Sequence, residues 1–176
     1  YWLLADDIAR EAYRQLFSMI EKRGLNFYTQ TFFLNEEDYI QLDIRHKIIT
    51  DITMDVCDNI GCCLSIDDYS EIDIITLLPK FYRIKKLKNS DDFQRDFLNV
   101  IRHEIEHAFQ ATSCIDSLEE YDRHEDNFLL KTHEVMAYVH GFRIACESYE
   151  HFKIATSSFI EAHGKNINLS NDEILK

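Results

Sequence analysis

The period of the apolar residues changes twice along this chain, and that change restricts the fold more than any other feature. From Ala5 to Arg23 the residues Ile8, Ala12, Leu16 and Ile20 recur at helical spacing, with Gly24 where a C-terminal cap belongs. Between Leu25 and Leu78 the period drops to two. Phe27, then Ile40, Leu42 and Ile44 against Gln41 and Asp43, then Leu64 and Ile66, then Ile72 and Ile74 beside Ile75 read as strands. Asn35-Glu36-Glu37-Asp38, Asp58-Asn59 and Asp67-Asp68-Tyr69-Ser70 form the turns between them. Lys47 to Asp58 fits either period and is read as strand. After Pro79 the helical period returns: Asn89-Ser90-Asp91-Asp92 offers N-cap candidates to a helix reaching about Ala111. A second helix is expected from Asn127 to about Tyr149, continuing or resuming to His163 and ending near Gly164. Helix, strands, then helices predict an α+β fold in which a small twisted mixed sheet packs on the helix that reaches about Ala111 and on the further C-terminal helices.

At 176 residues, with 4 Gly and 1 Pro, the chain suits a single packed domain spanning residues 1–176. A formal charge of -13 repels phosphate backbones and anionic membranes, so neither nucleic acid nor a membrane is an expected partner unless a local patch overrides it. The basic concentration at Lys80, Arg83, Lys85, Lys86 and Lys88 reads as a solvated loop. No apolar run approaches the roughly 18 residues of a membrane span. Five cysteines without a C-x-x-C pair suggest neither a disulfide framework nor a thiolate zinc site, which fits a reducing, cytoplasmic setting. The Asn168-Leu169-Ser170 sequon then reads as a chance match. The chain opens at Tyr1 rather than Met, as a partial or trimmed chain would, so a missing signal sequence carries little weight. The pattern holds no signal for an oligomeric state.

His103-Glu104-Ile105-Glu106-His107 contains H-E-x-x-H. On a helix, residues four apart share a face, so His103 and His107 can present imidazole nitrogens to one zinc ion, while Glu104 can take a proton from a zinc-polarised water. With 8 His and many Glu, chance could produce the string. Its setting argues otherwise. At about 100° per residue, Glu104 projects into the stripe made by Phe93, Phe97, Val100, Ile101 and Ala108, where an unpaired carboxylate costs several kcal/mol. A catalytic zinc takes a third protein ligand. Glu134 is preferred, because it shares a face with Leu130, Ala137, Tyr138, Gly141 and Ala145, small residues that allow close helix packing. His133 and His140 lie about 100–120° away around the same helix. His140 stands in reserve, with His133 and His124 behind it; His46, His151 and His163 read as solvated or satisfied side chains.

His103-Glu104-x-x-His107 followed by a helical Glu134 resembles the gluzincin branch of the zincin metallopeptidases. The extended pattern through Gln110, with Glu134-x-x-Ala137-Tyr138, resembles small minimal gluzincins of phage and bacterial genomes. The resemblance implies peptide-bond hydrolysis by one zinc ion on a protein or peptide substrate. It also implies an edge strand that holds the substrate extended, here Glu71 to Leu78. A further oxyanion donor is expected from among Tyr121, Tyr138, His140 and Tyr149. Two departures matter. Thermolysin-like enzymes place an acidic residue one turn after the ligand Glu, where this chain has Tyr138, so another residue must orient His103. The spacing to Glu134 also resembles the phage-repressor-cleaving peptidases, but their Phe-Ala and Leu-Met-Pro pattern is missing. Two competing expectations are a zincin-fold binding module that cuts nothing, and an SprT-like protease acting on DNA-bound proteins. The latter draws on His140-Gly141-Phe142 and conflicts with the acidic charge.

Overall fold

A computed structural model describes residues 2–22, 27–34, 36, 38–50, 57–66, 69–112, 132–146 and 148–163. Helix α1 (Trp2–Glu21) corresponds to the helix expected from Ala5 to Arg23; it begins earlier and ends before Lys22, and Arg23 lies outside the described residues. It buries Ala5, Ile8, Ala9, Ala12, Leu16 and Ile20, positions three and four apart that form one apolar stripe. Gly24, its expected cap, lies outside the described residues.

Four strands follow: β1 (Phe27–Phe33), β2 (Tyr39–Ile49), β3 (Asp58–Ile66) and β4 (Tyr69–Pro79). Of the stretch read as strand between Lys47 and Asp58, residues 47–49 extend β2 and 58 opens β3, while 51–56 lie outside the described residues. The sheet order is β1-β2-β4-β3. β1 pairs antiparallel with β2, β2 parallel with β4, and β3 antiparallel with β4, so the sheet is mixed as expected. Ile40, Leu42, Ile44, Ile72, Ile74 and Leu78 are fully buried on the face that meets the helices. Gln41, Asp43, Glu71 and Asp73 alternate with them on the other face.

One strand assignment is corrected. Glu71 to Leu78 lies inside β4, between β2 and β3, and has no free edge; among the described residues the sheet ends in β1 and β3. The composition gives the reason. β4 carries Ile72, Ile74, Ile75, Leu77 and Leu78 and gains most from neighbours on both sides. β3 carries Asn59, Gly61 and Ser65, and leaves Ile60 and Leu64 exposed.

After the short helix α2 (Ile84–Lys88) comes α3 (Asp91–Thr112). Among the cap candidates Ser90 takes the role: its Oγ accepts the Phe93 N–H at 3.2 Å. Asp91 and Asp92 add negative charge at the positive end of the helix dipole. Phe93, Phe97, Ile101, Ile105 and Ala108 join the core. Helix α3 packs on β3, β4 and α1, and also on α4 (Thr132–Ala145). Residues 127–131 of the expected second helix lie outside the described residues. That helix ends at Ala145, short of Tyr149, and a new one, α5 (Tyr149–His163), begins beyond Ser148, whose Oγ accepts the His151 N–H at 3.2 Å. No helix among the described residues is long and apolar enough to cross a membrane.

Two features fix α4 against α3. Gly141 lies so close that an added Cβ would stand 2.7 Å from the Asn99 carbonyl oxygen, and Ala137, one turn earlier on α4, is fully buried. Beside this crossing lies a charge cluster drawn from three helices. Arg102, fully buried, donates Nε–H to Asp6 at 3.2 Å and Nη1–H to Glu106 at 2.9 Å. Arg143 donates to both Asp6 oxygens at 2.7 and 2.8 Å, and His140 Nε2 lies 3.8 Å from Glu106. Burial pushes the His140 pKa down; Glu106 opposes this and the two guanidinium groups reinforce it. Replacing Arg102 by Met strands Glu106 and half of the Asp6 partnership in the interior. The variant is expected to lose about 3–5 kcal/mol of stability, read as a lower urea midpoint at unchanged m-value.

Candidate metal centre

His103 and His107 sit one turn apart on α3 with their rings edge to face, centroids 4.7 Å apart. Their Nε2 atoms face each other at 3.0 Å. From α4, Glu134 brings Oε2 to 3.3 Å from His103 Nε2 and Oε1 to 3.4 Å from His107 Nε2. Among the described residues these three form the one group of His, Cys, Asp or Glu able to hold an ion. The spacing suits a tetrahedral metal: bonds of about 2.0–2.1 Å place ligand atoms about 3.3 Å apart. Two nitrogens and a carboxylate oxygen are also the donors zinc takes at catalytic sites.

The orientation of His107 has a visible cause. Its Nδ1–H donates to Gln110 Oε1 at 3.0 Å, which turns Nε2 inward, and Gln110 Nε2–H donates to the His133 carbonyl at 3.0 Å. One side chain thus ties His107 to the backbone beside Glu134. His103 is held differently. Its Nδ1 is buried and has no hydrogen-bond partner among the described residues, and its ring meets Tyr138 edge to face at 4.3 Å, with Phe159 of α5 packed behind Tyr138 at 4.3 Å. Aromatic packing by Tyr138 stands where the resemblance had an acidic residue.

Glu104 is buried and projects over β3. A Cβ on Gly61 would lie 2.6 Å from Glu104 Cγ and 2.9 Å from Val100 Cγ1, so only glycine admits the carboxylate there. Burial raises the Glu104 pKa; the two histidines pull it down and Glu134 pushes it up. That is the direction a general base working near neutral pH needs. Burial also acts to raise the Glu134 pKa, but hydrogen bonds from His103 and His107 outweigh it and hold the carboxyl at about 2. For His107 burial acts downward, while the bonds to Glu134 and Gln110 carry its pKa above the ordinary value. Tyr138 is raised by burial and then by the charges of Glu134 and Glu104.

The structure therefore brings together His103, Glu104, His107, Glu134 and Tyr138. It does not bring in His140, the reserve ligand and candidate second-shell or oxyanion group, which belongs to the charge cluster with Glu106. Tyr149 is 78% exposed on α5 and packs on Phe152; Tyr121 and His124 lie outside the described residues. His133, ranked behind His140, stands at the site, with Nε2 3.6 Å from Glu134 Oε1 and its ring 5.9 Å from that of His107. Gly61 was missed as well, although a lone glycine within a strand pattern signals close backbone approach.

No protein-family model, curated protein or solved structure matches the chain. The functional reading rests on these residues alone.

Two outcomes follow from the geometry. The Glu134 carboxyl is depressed, so its contribution to stability is present above the ordinary value of 4.5 and lost as pH falls toward about 2. His107 is raised, so its contribution is complete below 6.5 and lost as pH rises through its elevated pKa. Metal-free protein in chelator should show the full contribution of this cluster to Tm between those two values, and Glu134→Gln should flatten both flanks. Separately, Gly61→Ala should cost about 1–3 kcal/mol through overpacking against Glu104 and Val100, measured by chemical unfolding.

Proposed function

We propose that the chain is a zinc-dependent metallopeptidase of gluzincin type. The observation that carries this reading is the convergence of His103 Nε2, His107 Nε2 and the Glu134 carboxylate, with a second buried carboxylate, Glu104, adjacent in sequence to the first ligand. A closed structural zinc site uses a fourth protein ligand and has no need of a general base. Glu104 is costly to bury and is explained by chemistry.

His103, His107 and Glu134 would hold the ion. A zinc ion bound there supplies a Lewis acid and lowers the pKa of a water to near neutrality. Glu104 would accept a proton from the water that attacks the carbonyl carbon of the peptide bond, whose π pair moves onto oxygen. As the C–N bond breaks, Glu104 returns the proton to the leaving amine, so acid and amine are released and the carboxylate is regenerated. Gln110 keeps Nε2 of His107 on the ligand side, and Tyr138 fixes the plane of His103. The substrate is a protein or peptide segment. β3, the edge strand under Glu104, is suited to hold it extended by backbone pairing. The acidic surface favours basic or neutral sequences.

The test combines metal analysis with cleavage of a quenched-fluorescent peptide library. Wild type should bind one zinc per chain and cleave. Glu104→Gln should keep the zinc and lose about 10²–10⁴-fold in rate, Glu134→Ala should lose the zinc, and His140→Ala should keep it. Stoichiometric zinc with no cleavage of any library member would overturn the peptidase reading in favour of a zinc-holding binding module.

A further inference from the structure

We infer that the face of the sheet turned away from the helices is a dimer interface, on which a second copy of this chain packs with its strands antiparallel. The inference stands apart from the peptidase reading, since the metal cluster belongs to the helices on the other side.

Helices α1 and α3 pack on the sheet from the side of Ile40, Leu42, Ile72 and Ile74. On the opposite side the register sets Phe33, Tyr39 and Tyr69 in one row, and Phe27, Arg45, Ile75 and Ile60 in another. The first row is an aromatic ladder, with ring centroids 6.1 Å apart for Phe33 and Tyr39 and 5.2 Å for the stacked Tyr39 and Tyr69. Phe33 is 70% exposed, Leu64 55%, Ile60 50% and Phe27 46%. Four large apolar side chains open to water on one sheet face mark an interface that the single chain leaves unfilled.

The charges on this face choose the occupant. Toward the aromatic row it carries Asp43 and Glu71, and Tyr69 donates its O–H to Glu71 at 3.2 Å. Further along β2 it carries Arg45 and Lys47, and Arg45 pairs with Asp73 on the neighbouring strand. Asp43 and Lys47 are left over. Among the described residues, Asp43 Oδ1 is buried without a hydrogen-bond partner, and Lys47 is exposed and in no ion pair. Four residues apart on one strand, they share a face yet stand about 13 Å apart, too far to bond within a chain. A two-fold axis that lies in the interface and crosses the strands turns the second copy end for end, so that each Lys47 end lies over the other copy's Asp43 end. An axis along the strands would lay acid on acid. A basic partner of another kind would satisfy Asp43 and leave Lys47 alone; a second copy satisfies both. The area is sufficient. Strands of 7 to 11 residues give a face of about 30 by 19 Å, so two copies bury roughly 1,200 Å², the lower bound of stable interfaces. Packing face to face leaves the outer edge of β3 and the metal cluster of each copy uncovered.

The experiment is sedimentation equilibrium of the full chain from about 1 to 200 µM, on wild type, on Asp43→Lys, Lys47→Glu and Leu64→Asp, and on an equimolar mixture of the first two variants. An unchanged urea midpoint in dilute protein checks that each variant keeps its fold. Wild type should dimerise with a micromolar Kd. Each single variant should weaken self-association about tenfold or more. The mixture of Asp43→Lys with Lys47→Glu should recover it, because every charge at these two positions then faces its opposite across the interface. Wild type that stays monomeric at every concentration would overturn the inference, whether another segment of the chain or a different protein covers the face. A dimer that none of the three variants weakens places the contact elsewhere and overturns it as well. A mixture that associates no better than its components sinks the antiparallel arrangement, and the inference with it.

Discussion

The site depends on how closely α4 can approach α3. A helix pair separated by ordinary side chains stands 8–10 Å apart, roughly, between axes, and a carboxylate one turn off the crossing point reaches the facing helix only if that distance is short. Gly141 and Ala137 make it short: the backbone of Asn99 occupies the volume a Gly141 Cβ would need. Glu134, one turn before Ala137, is thereby delivered to two imidazoles on the partner helix, 3.3 and 3.4 Å away. The glycine lowers the helix propensity of α4 by about 1 kcal/mol relative to alanine, a cost accepted where packing needs the space.

Close approach leaves residues 101–110 of α3 almost without a solvent face, and the polar side chains among them must then find partners inside the protein. Each does so in a different direction. Glu104 turns to β3, His103 and His107 to Glu134, Gln110 to the α4 backbone, and Arg102 and Glu106 to α1 and the far side of α4. The charge cluster around Arg102 borders the metal cluster residue by residue along the helix, since 102 precedes 103 and 106 precedes 107. A rotation of α3 that disturbed one set would disturb the other, because an unpaired buried charge on either side costs several kcal/mol. The register of His103 and His107 is locked by the salt bridges behind them.

What the sequence disclosed follows from what periodicity encodes. Alternation in Ile40-Leu42-Ile44 and Ile72-Ile74 names a face of a sheet, and H-E-x-x-H names a face of a helix, so α3, the sheet and the His pair could be placed before any tertiary contact was known. Glu134 was legible for a related reason, as small residues on its face signalled a tight crossing. Other features needed the fold. Arg102 and Asp6 are 96 residues apart, and no local pattern pairs them. Strand order is not written in strand periodicity, so the central position of β4 emerged only with its parallel pairing to β2. The ranking of His140 above His133 inverted for a geometric reason. Both lie off the Glu134 face, but a helical wheel reports an angle about one axis, not what stands opposite. His133 falls in the first turn of α4, opposite the end of α3 that carries His107 and Gln110; His140 falls opposite Glu106.

β3 completes the arrangement from the other side. Its start is anchored to α3 by Asn59, which donates to Asp96 at 2.6 Å and accepts from Thr76 at 2.8 Å, a bridge from helix through edge strand to central strand. Burial raises the Asp96 pKa and the Asn59 bond opposes the rise, so the bridge is strongest with Asp96 ionised. Two residues further along, Gly61 admits the Glu104 side chain. The anchor and the gap occur on the same face of one strand, and together they set how far the strand edge lies from the carboxylate. Edge strands are exposed to unwanted pairing, and the polar and glycine content of β3 limits its own hydrophobic contribution. Among the described residues no strand pairs with the outer edge of β3, which runs beside a buried acid. An edge of this kind is open to backbone pairing with an extended chain, the pairing that the proposed reading requires of it.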